Sequence, residues 1–124
     1  MWNKFICIGN IGKDDADLRY TASGQPVSNF SLATTSGWGD SKTTLWIRCT
    51  IWGKLAESLT PYLTKGKQVL VEGELQVDTA TGGPRVWTDK SGNARASFEI
   101  TARAVVLLGS KSVEPEDTED EIPF

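Results

Sequence analysis

Histidine is absent from the 124-residue chain, and cysteine occurs only twice, at Cys7 and Cys49. The missing histidine removes the commonest general base and the commonest metal ligand of proteins. Two cysteines without histidine are too few for a zinc site or a disulfide framework, so we expect free thiols in a reducing compartment. The sequence therefore predicts no catalytic residue, no metal site and no cofactor, and a protein that is not an enzyme.

Long apolar runs are also missing. No stretch approaches the roughly 20 apolar residues that a membrane helix requires. Residues 1–4 lack the architecture of a signal peptide, so we read the mature chain as starting at Met1. The hydrophobic share of 39% and the charged share of 23% are ordinary for a soluble globule, and the length fits one domain. We expect a cytoplasmic protein without a membrane partner.

The net charge of −3 conceals two regions of opposite sign. All thirteen Lys and Arg residues lie within 4–111 beside ten acids, whereas 114–124 holds six acids and no base. Such acidic blocks stay solvated and often serve as interaction tails. We therefore expect a folded domain over 1–109 and a short linker with a disordered acidic tail over 110–124. The low isoelectric point belongs to the tail and does not exclude an anionic partner for the domain.

Strand patterns dominate the domain. Five apolar-rich runs are predicted as strands, with 18–21 leading into the second: 4–11, 27–35, 45–52, 68–75 and 96–108. The only helical spacing lies between the third and fourth runs, where Pro61 should kink or shorten the helix. Single glycines at Gly9 and Gly73 indicate bulges or bends. This order predicts an all-β, five-stranded Greek-key barrel of the OB type, with one short helix between strands 3 and 4.

The third predicted strand carries the most informative pattern. Side chains alternate between the two faces of a strand, so its odd positions form an apolar core face. Its even positions include Trp46, Arg48 and Trp52, which set two aromatics around a cation on the face expected to be wet. Bases stacked on indole rings, with arginine against phosphate, are one use for such a stripe. Packing beneath a loop or against a partner subunit is the alternative.

Two other tryptophans occur where core aromatics are not expected. Trp38 lies in a polar, glycine-flanked segment, and Trp87 follows Arg85 and precedes a turn containing Lys90. Each suits either nucleic-acid binding or local packing, whereas Trp2 is expected to be structural or interfacial. The candidate phosphate contacts are Arg48, Lys54, Lys65, Lys67, Arg85, Lys90 and Arg95. A duplex reader needs a basic helix or ribbon for the major groove, so single strands fit better.

Functions of other classes remain open on these residues alone. The acids Asp14, Asp15 and Asp17 suggest Mg²⁺-dependent nuclease chemistry, yet no base or catalytic lysine accompanies them. An OB module that binds RNA, or a protein adaptor that needs no nucleic acid, is the other alternative. Stacking tolerates every base and does not separate DNA from RNA.

Seven short segments, in this order, resemble the bacterial-type single-stranded DNA-binding protein family (SSB). They are Asn3-Lys4, Gly9-Asn10-Ile11-Gly12, Leu32-Ala33-Thr34, Gly53-Lys54-Leu55-Ala56-Glu57, Tyr62-Leu63-Thr64-Lys65-Gly66, Val71-Glu72-Gly73 and Trp87-Thr88-Asp89-Lys90-Ser91-Gly92. The resemblance covers about residues 2–108. The terminus Asp120-Glu121-Ile122-Pro123-Phe124 separately resembles the acidic ending of the family.

This resemblance implies an OB fold assembled as a homotetramer around which single-stranded DNA wraps. It implies sequence-independent binding in replication, recombination and repair, in the cytoplasm close to the nucleoid. The stacking aromatics of the family match Trp38, Trp46, Trp52 and Trp87, where Trp52 stands at a position that is often phenylalanine. Its cationic positions match Lys4, Arg19, Arg48, Lys54 and Lys65. Its terminal peptide docks replication and repair partners through the carboxylate end, here Phe124.

Two departures from the family pattern stand out. Cellular members carry a long linker rich in Gly, Gln and Pro before the tail, whereas only a few residues intervene here. A phage- or mobile-element-encoded member, acting in host cytoplasm, would fit such a short linker. The segment 76–86 is also longer than usual, and the resemblance assigns it no role. We further expect the acidic tail to compete with DNA for the basic domain.

Overall fold

The computed structural model describes residues 1–109; the predicted linker and acidic tail, with the motif from Asp120 to Phe124, lie outside the described residues. Within residues 1–109, six strands and one α-helix follow one another along the chain. They are β1 Phe5–Tyr20, β2 Pro26–Ser36, β3 Thr43–Trp52, α1 Lys54–Leu59, β4 Gln68–Leu75, β5 Arg85–Thr88 and β6 Ala94–Leu107. Short 3-10 turns span Gly39–Ser41 and Thr60–Tyr62.

Five of the strands close into a barrel. β1 pairs antiparallel with β4 through residues 5–10 and with β2 through residues 10–20. β2 pairs with β3, and β4 pairs with β6, also antiparallel. The parallel pairing of β3 with β6 joins the two remaining edges. The predicted all-β OB barrel, with its short helix between β3 and β4, is confirmed.

The first strand is longer than the sequence pattern predicts. The predicted runs 4–11 and 18–21 belong to one strand, β1, whose register shifts between Gly12 and Asp17. Lys13 has a φ of 66° at this irregularity, an uncommon left-handed conformation for a residue with a side chain. The polar sequence in between hides the continuity. Residues 13–16 have no partner in β2, and the amide of Ala16 donates instead to the carbonyl oxygen of Leu63 at 2.9 Å.

The sixth strand, β5, adds to the five that the sequence predicts. It is four residues long, is exposed throughout and pairs with β6 from Arg85↔Ser97 to Thr88↔Ala94. The two strands form a hairpin that extends from the barrel. An exposed strand of this length has no burial pattern to reveal it.

The helix behaves as its proline predicts. α1 ends at Leu59 and continues as a 3-10 turn with Pro61 at its start. Proline lacks the amide hydrogen that the next α-helical bond requires and disfavours helical geometry in the residue before it. The shortened helix closes one end of the barrel, with Ala56 and Leu63 buried in the core.

The barrel interior is apolar and closely packed. Its centre includes Leu32, Ile47, Ile51, Val71 and Ile100, all buried. Both cysteines are free, and burial, with a smaller effect of the Cys7 thiol, raises the pKa of Cys49 to about 12. Cys49 is therefore a small core residue, as the sequence predicts.

Among residues 1–109, no helix combines the length and apolar character needed to cross a membrane.

Candidate nucleic-acid interface

Strand β3 presents opposite chemistry on its two faces, as its sequence predicts. Ile47, Cys49 and Ile51 are buried in the barrel. Trp46 and Trp52 remain exposed on the alternate positions, at 42% and 43% of their surface. The strand therefore uses its core face to fix the backbone and leaves an aromatic and cationic face outside.

An open groove of about 640 Å³ runs between β3 and the β5–β6 hairpin. Trp46 lines it from β3, and Trp87 lines it from β5. Lys13, Arg48 and Arg95 add three cationic side chains from three different strands. The fold thus brings together aromatics that lie 41 positions apart in the sequence.

Trp46 lies directly over a glycine of β1. A Cβ atom placed on Gly12 would stand 2.6 Å from Cζ3 and 2.8 Å from Cη2 of the indole. The ammonium of Lys13 lies 4.8 Å from the centroid of the same ring, within the range of a cation–π contact.

Trp87 is held by the hairpin that carries it. Its Nε1 donates a hydrogen bond of 3.1 Å to Oγ of Ser97. The following turn is organised by Asp89, which accepts from the Nε of Arg95 at 2.8 Å and from the backbone amides of Ser91 and Asn93 at 2.9 Å. These hydrogen bonds lower the pKa of Asp89, and the bond from Arg95 has the largest effect. The indole is therefore positioned by a hydrogen-bonded scaffold.

The other two predicted stacking residues lie away from this groove. Trp38 is 88% exposed and immediately precedes the first 3-10 turn. Trp52 ends β3, six residues beyond Trp46, which places their Cα atoms about 20 Å apart along the strand. Neither residue lines the groove.

The predicted cations divide into paired and unpaired groups. Lys4 pairs with Glu72, Arg19 with Asp17 at 2.7 Å, and Arg85 with Glu99 at 2.8 Å. Within residues 1–109, the predicted cations without an ion pair are Arg48, Lys54, Lys65, Lys67 and Lys90. Of these five, only Arg48 lines the groove. An ion-paired cation must exchange partners before it can hold a phosphate.

Two groove residues were missed by the sequence analysis. Lys13 lies in a polar segment without a strand pattern, so nothing indicated its position over Trp46. Phe98 lies in a predicted core strand, yet it is 58% exposed and lines the groove. The only signal in the sequence that could have indicated its exposure is its position near the start of that strand, because strand ends often extend beyond a core.

Two of the three acids considered for Mg²⁺ have other contacts. A carboxylate oxygen of Asp15 accepts the backbone amide of Lys65 at 2.8 Å, and Asp17 pairs with Arg19. No group of three or more His, Cys, Asp or Glu side chains in the described part of the chain is arranged to hold a metal ion. Two of the three acids thus stabilise the local fold.

An OB barrel whose outer face carries an aromatic and cationic groove defines a binding module of the OB class. Residues 2–108 match the single-strand binding protein family. The chain is 43% identical over 115 residues to "Single-stranded DNA-binding protein 1" of Chlorobaculum tepidum, covering 88% of this chain and 66% of that protein. It is 42% identical to "Single-stranded DNA-binding protein 1" of Xylella fastidiosa, covering 88% of this chain and 79% of that protein.

The chain belongs to the single-strand binding protein family, whose members are binding proteins rather than enzymes. It spans just under two thirds of the length of the Chlorobaculum tepidum protein.

Proposed function

We propose that this protein binds single-stranded DNA without regard to sequence and protects it during replication, recombination and repair. Bases stack on Trp46 and Trp87 in the groove, and on Trp38 and Trp52 beyond it. The Lys and Arg side chains along the same path contact phosphates. The proposal is supported by family membership and by the groove itself, which combines three aromatic side chains with three cations and one acid, Asp89.

The energetics favour stacking over net charge as the main source of affinity. Base–aromatic stacking is worth roughly 1–3 kcal/mol per base by alanine substitution. Twelve basic and ten acidic residues leave the described domain with little net positive charge. Several of the basic residues are also neutralised by carboxylates. Two or three stacked bases would therefore outweigh the phosphate contacts.

Tryptophan fluorescence during titration with oligo-dT tests the proposal. We expect strong stoichiometric quenching by oligo-dT and none by duplex DNA, because duplex bases are already stacked. Trp46→Ala should weaken binding by about 1–3 kcal/mol. The logarithm of the affinity should fall with the logarithm of the salt concentration by about 0.7 per phosphate contacted.

Two other results of this titration would favour a different function. Tighter binding of oligo-U than of oligo-dT would identify an RNA-binding OB module instead. No quenching and no binding by any nucleic acid would identify the tryptophan face as a packing surface and favour a protein adaptor.

We also propose that the protein assembles as a homotetramer. Ile8 of β1, Leu70 of β4 and Val106 of β6 are neighbours across three paired strands on the outer face of the barrel. Ile8 and Val106 are each 49% exposed, and Ile6 adds another exposed apolar side chain beside them. An apolar row of this kind is suited to burial between subunits.

The acidic terminus completes the proposal. Asp120, Glu121, Ile122, Pro123 and Phe124 would recruit replication and repair proteins through acidic and apolar contacts. The same acidic residues would compete with DNA for the domain in cis, at a high local concentration because the linker is short. The protein would act in the cytoplasm beside the nucleoid, or in host cytoplasm if it is encoded by a phage.

A further inference from the structure

Phe98 occupies an unusual place at the mouth of the barrel. It lies on the same face of β6 as Ile100 and Ala102, which are buried in the core. Its Cα is paired with that of Ile47 in β3, one residue from Trp46. Phe98 nevertheless remains 58% exposed, although its partner Ile47 is buried in the core. A large aromatic is thus presented to solvent at the end of the groove.

A second opening continues from this ring. A crevice of about 180 Å³ lies beneath the β4–β5 loop, the segment longer than usual in the family resemblance. Leu75, Val77 and Pro84 line it together with Phe98. Leu75 and Val77 are about half exposed. Phe98 and Ser97 line both the crevice and the tryptophan groove, so the two openings are neighbours on this part of β6.

The charges around this junction are compatible with a nucleic acid strand. Glu99 is the acid that lines the crevice, and its carboxylate is bound by Arg85 at 2.8 Å. Arg95 lines the adjoining groove. Arg95 is itself paired with Asp89 of the same groove at 2.8 Å, so it must exchange partners before it can hold a phosphate. An approaching strand therefore meets carboxylates that are already paired with arginines, while a base meets apolar walls.

We infer that Phe98 and the crevice beneath the β4–β5 loop form an additional nucleobase subsite, which extends the strand path beyond Trp46 and Trp87. The inference rests on the proposed single-strand binding. A base leaving the tryptophan groove stacks on Phe98 and inserts its edge between Leu75 and Val77. Every base has a π-face, so the subsite adds affinity without selecting sequence.

Photo-crosslinking of the full-length protein tests this subsite directly. An oligo-dT carrying 5-iodo-deoxyuridine at one position at a time is bound, irradiated and mapped by mass spectrometry. We expect one set of positions to crosslink to Trp46 or Trp87 and a neighbouring set to crosslink to Phe98. Adducts confined to the tryptophans at every position would overturn the inference.

Affinity measurements give a second, independent readout. Phe98→Leu keeps an apolar side chain but removes the ring, and it should weaken oligo-dT binding by about fivefold or more. Phe98→Tyr keeps the ring and should stay within about twofold of the unsubstituted protein. Tyr62→Leu is the matched control, because Tyr62 is 60% exposed and lines neither the groove nor the crevice.

The outcomes separate this inference from the proposed function. Normal quenching and affinity in Phe98→Leu, with no adduct at Phe98, would overturn the subsite and leave single-strand binding intact. Equal losses in Phe98→Leu and Tyr62→Leu would also overturn it, because the effect would not depend on the crevice. Absence of any oligo-dT binding by the unsubstituted protein would overturn both.

Discussion

At the scale of single residues, the contact between Gly12 and Trp46 is the clearest link from sequence to binding surface. The indole approaches the β1 backbone so closely that any Cβ at position 12 would overlap it. The glycine therefore lets the ring lie against the sheet, with one edge supported and with Lys13 near its face. Rigid support of this kind lowers the entropy lost when a base stacks.

We predict that Gly12→Ala weakens oligo-dT binding by displacing the indole of Trp46. The cost should approach the roughly 1–3 kcal/mol expected for losing one stacked base. The tryptophan emission spectrum of the free protein should change as well, because the ring environment changes. Fluorescence titration measures both effects.

A double-mutant cycle provides the control. If Gly12 acts through Trp46, adding Gly12→Ala to Trp46→Ala should cost little further affinity. Additive losses from the two substitutions would contradict a shared mechanism.

At the scale of elements, bulges and bends make the barrel close. The register of β4 against β6 shifts between Glu72 and Gly73. A Cβ on Gly73 would stand 2.1 Å from the carbonyl oxygen of Thr101, so the neighbouring backbone would have to move. Gly9 is similar, since its Cβ would stand 2.5 Å from the carbonyl oxygen of Ala33. Both glycines are predicted from the sequence as bends, and both permit close backbone approach.

We therefore predict that Gly73→Ala lowers the free energy of unfolding by about 1–3 kcal/mol, the usual range for overpacking. Urea denaturation followed by tryptophan fluorescence measures this change. The obstructing atom belongs to the backbone, so the strain cannot be relieved by a rotamer change.

Gly83→Ala is the matched control for this prediction. A Cβ at Gly83 would meet only the Oγ1 of Thr81, at an ordinary 3.7 Å. Its stability should be unchanged or slightly higher, because alanine restricts the unfolded chain. Equal destabilisation by the two substitutions would show that close packing at Gly73 is not the cause.

At the scale of the whole molecule, the barrel leaves an apolar row uncovered on the face of β1, β4 and β6. The row runs through Ile8, Leu70 and Val106, on the outer side of three paired strands. It is distinct from the tryptophan groove, since none of the three lines that groove. Assembly through this face would keep the binding grooves open to DNA.

We predict a tetramer for the unsubstituted protein and smaller species for Ile8→Glu in analytical ultracentrifugation. A buried carboxylate without a partner disfavours association strongly. Val86→Glu is the matched control, because Val86 is an exposed apolar residue on the β5–β6 hairpin. It should leave the assembly unchanged. A monomeric unsubstituted protein at micromolar concentration would contradict the proposed homotetramer.

The local pattern of the chain predicted much of this fold. Alternation from Leu45 to Trp52 correctly separates core from surface in β3. Pro61 correctly limits the helix, and Gly73 correctly marks a bend. These features depend on neighbours within a few residues, so a single sequence contains the information. The short exposed strand β5 leaves no such pattern and was not predicted.

The sequence by itself determined the residue types of this protein, namely the strand periodicity, the exposed tryptophans and the division between a basic domain and an acidic terminus. Only the tertiary structure decided which of them meet. The pairing of β1 with β2 and of β2 with β3 brings Lys13 onto Trp46. The closing pair of β3 with β6 sets Trp87 across the same groove, while Trp38 and Trp52 lie outside it. The reason is physical. The face of a strand on which a side chain lies follows from alternation between adjacent residues. The lining of a groove depends instead on pairing between strands that are far apart in the chain.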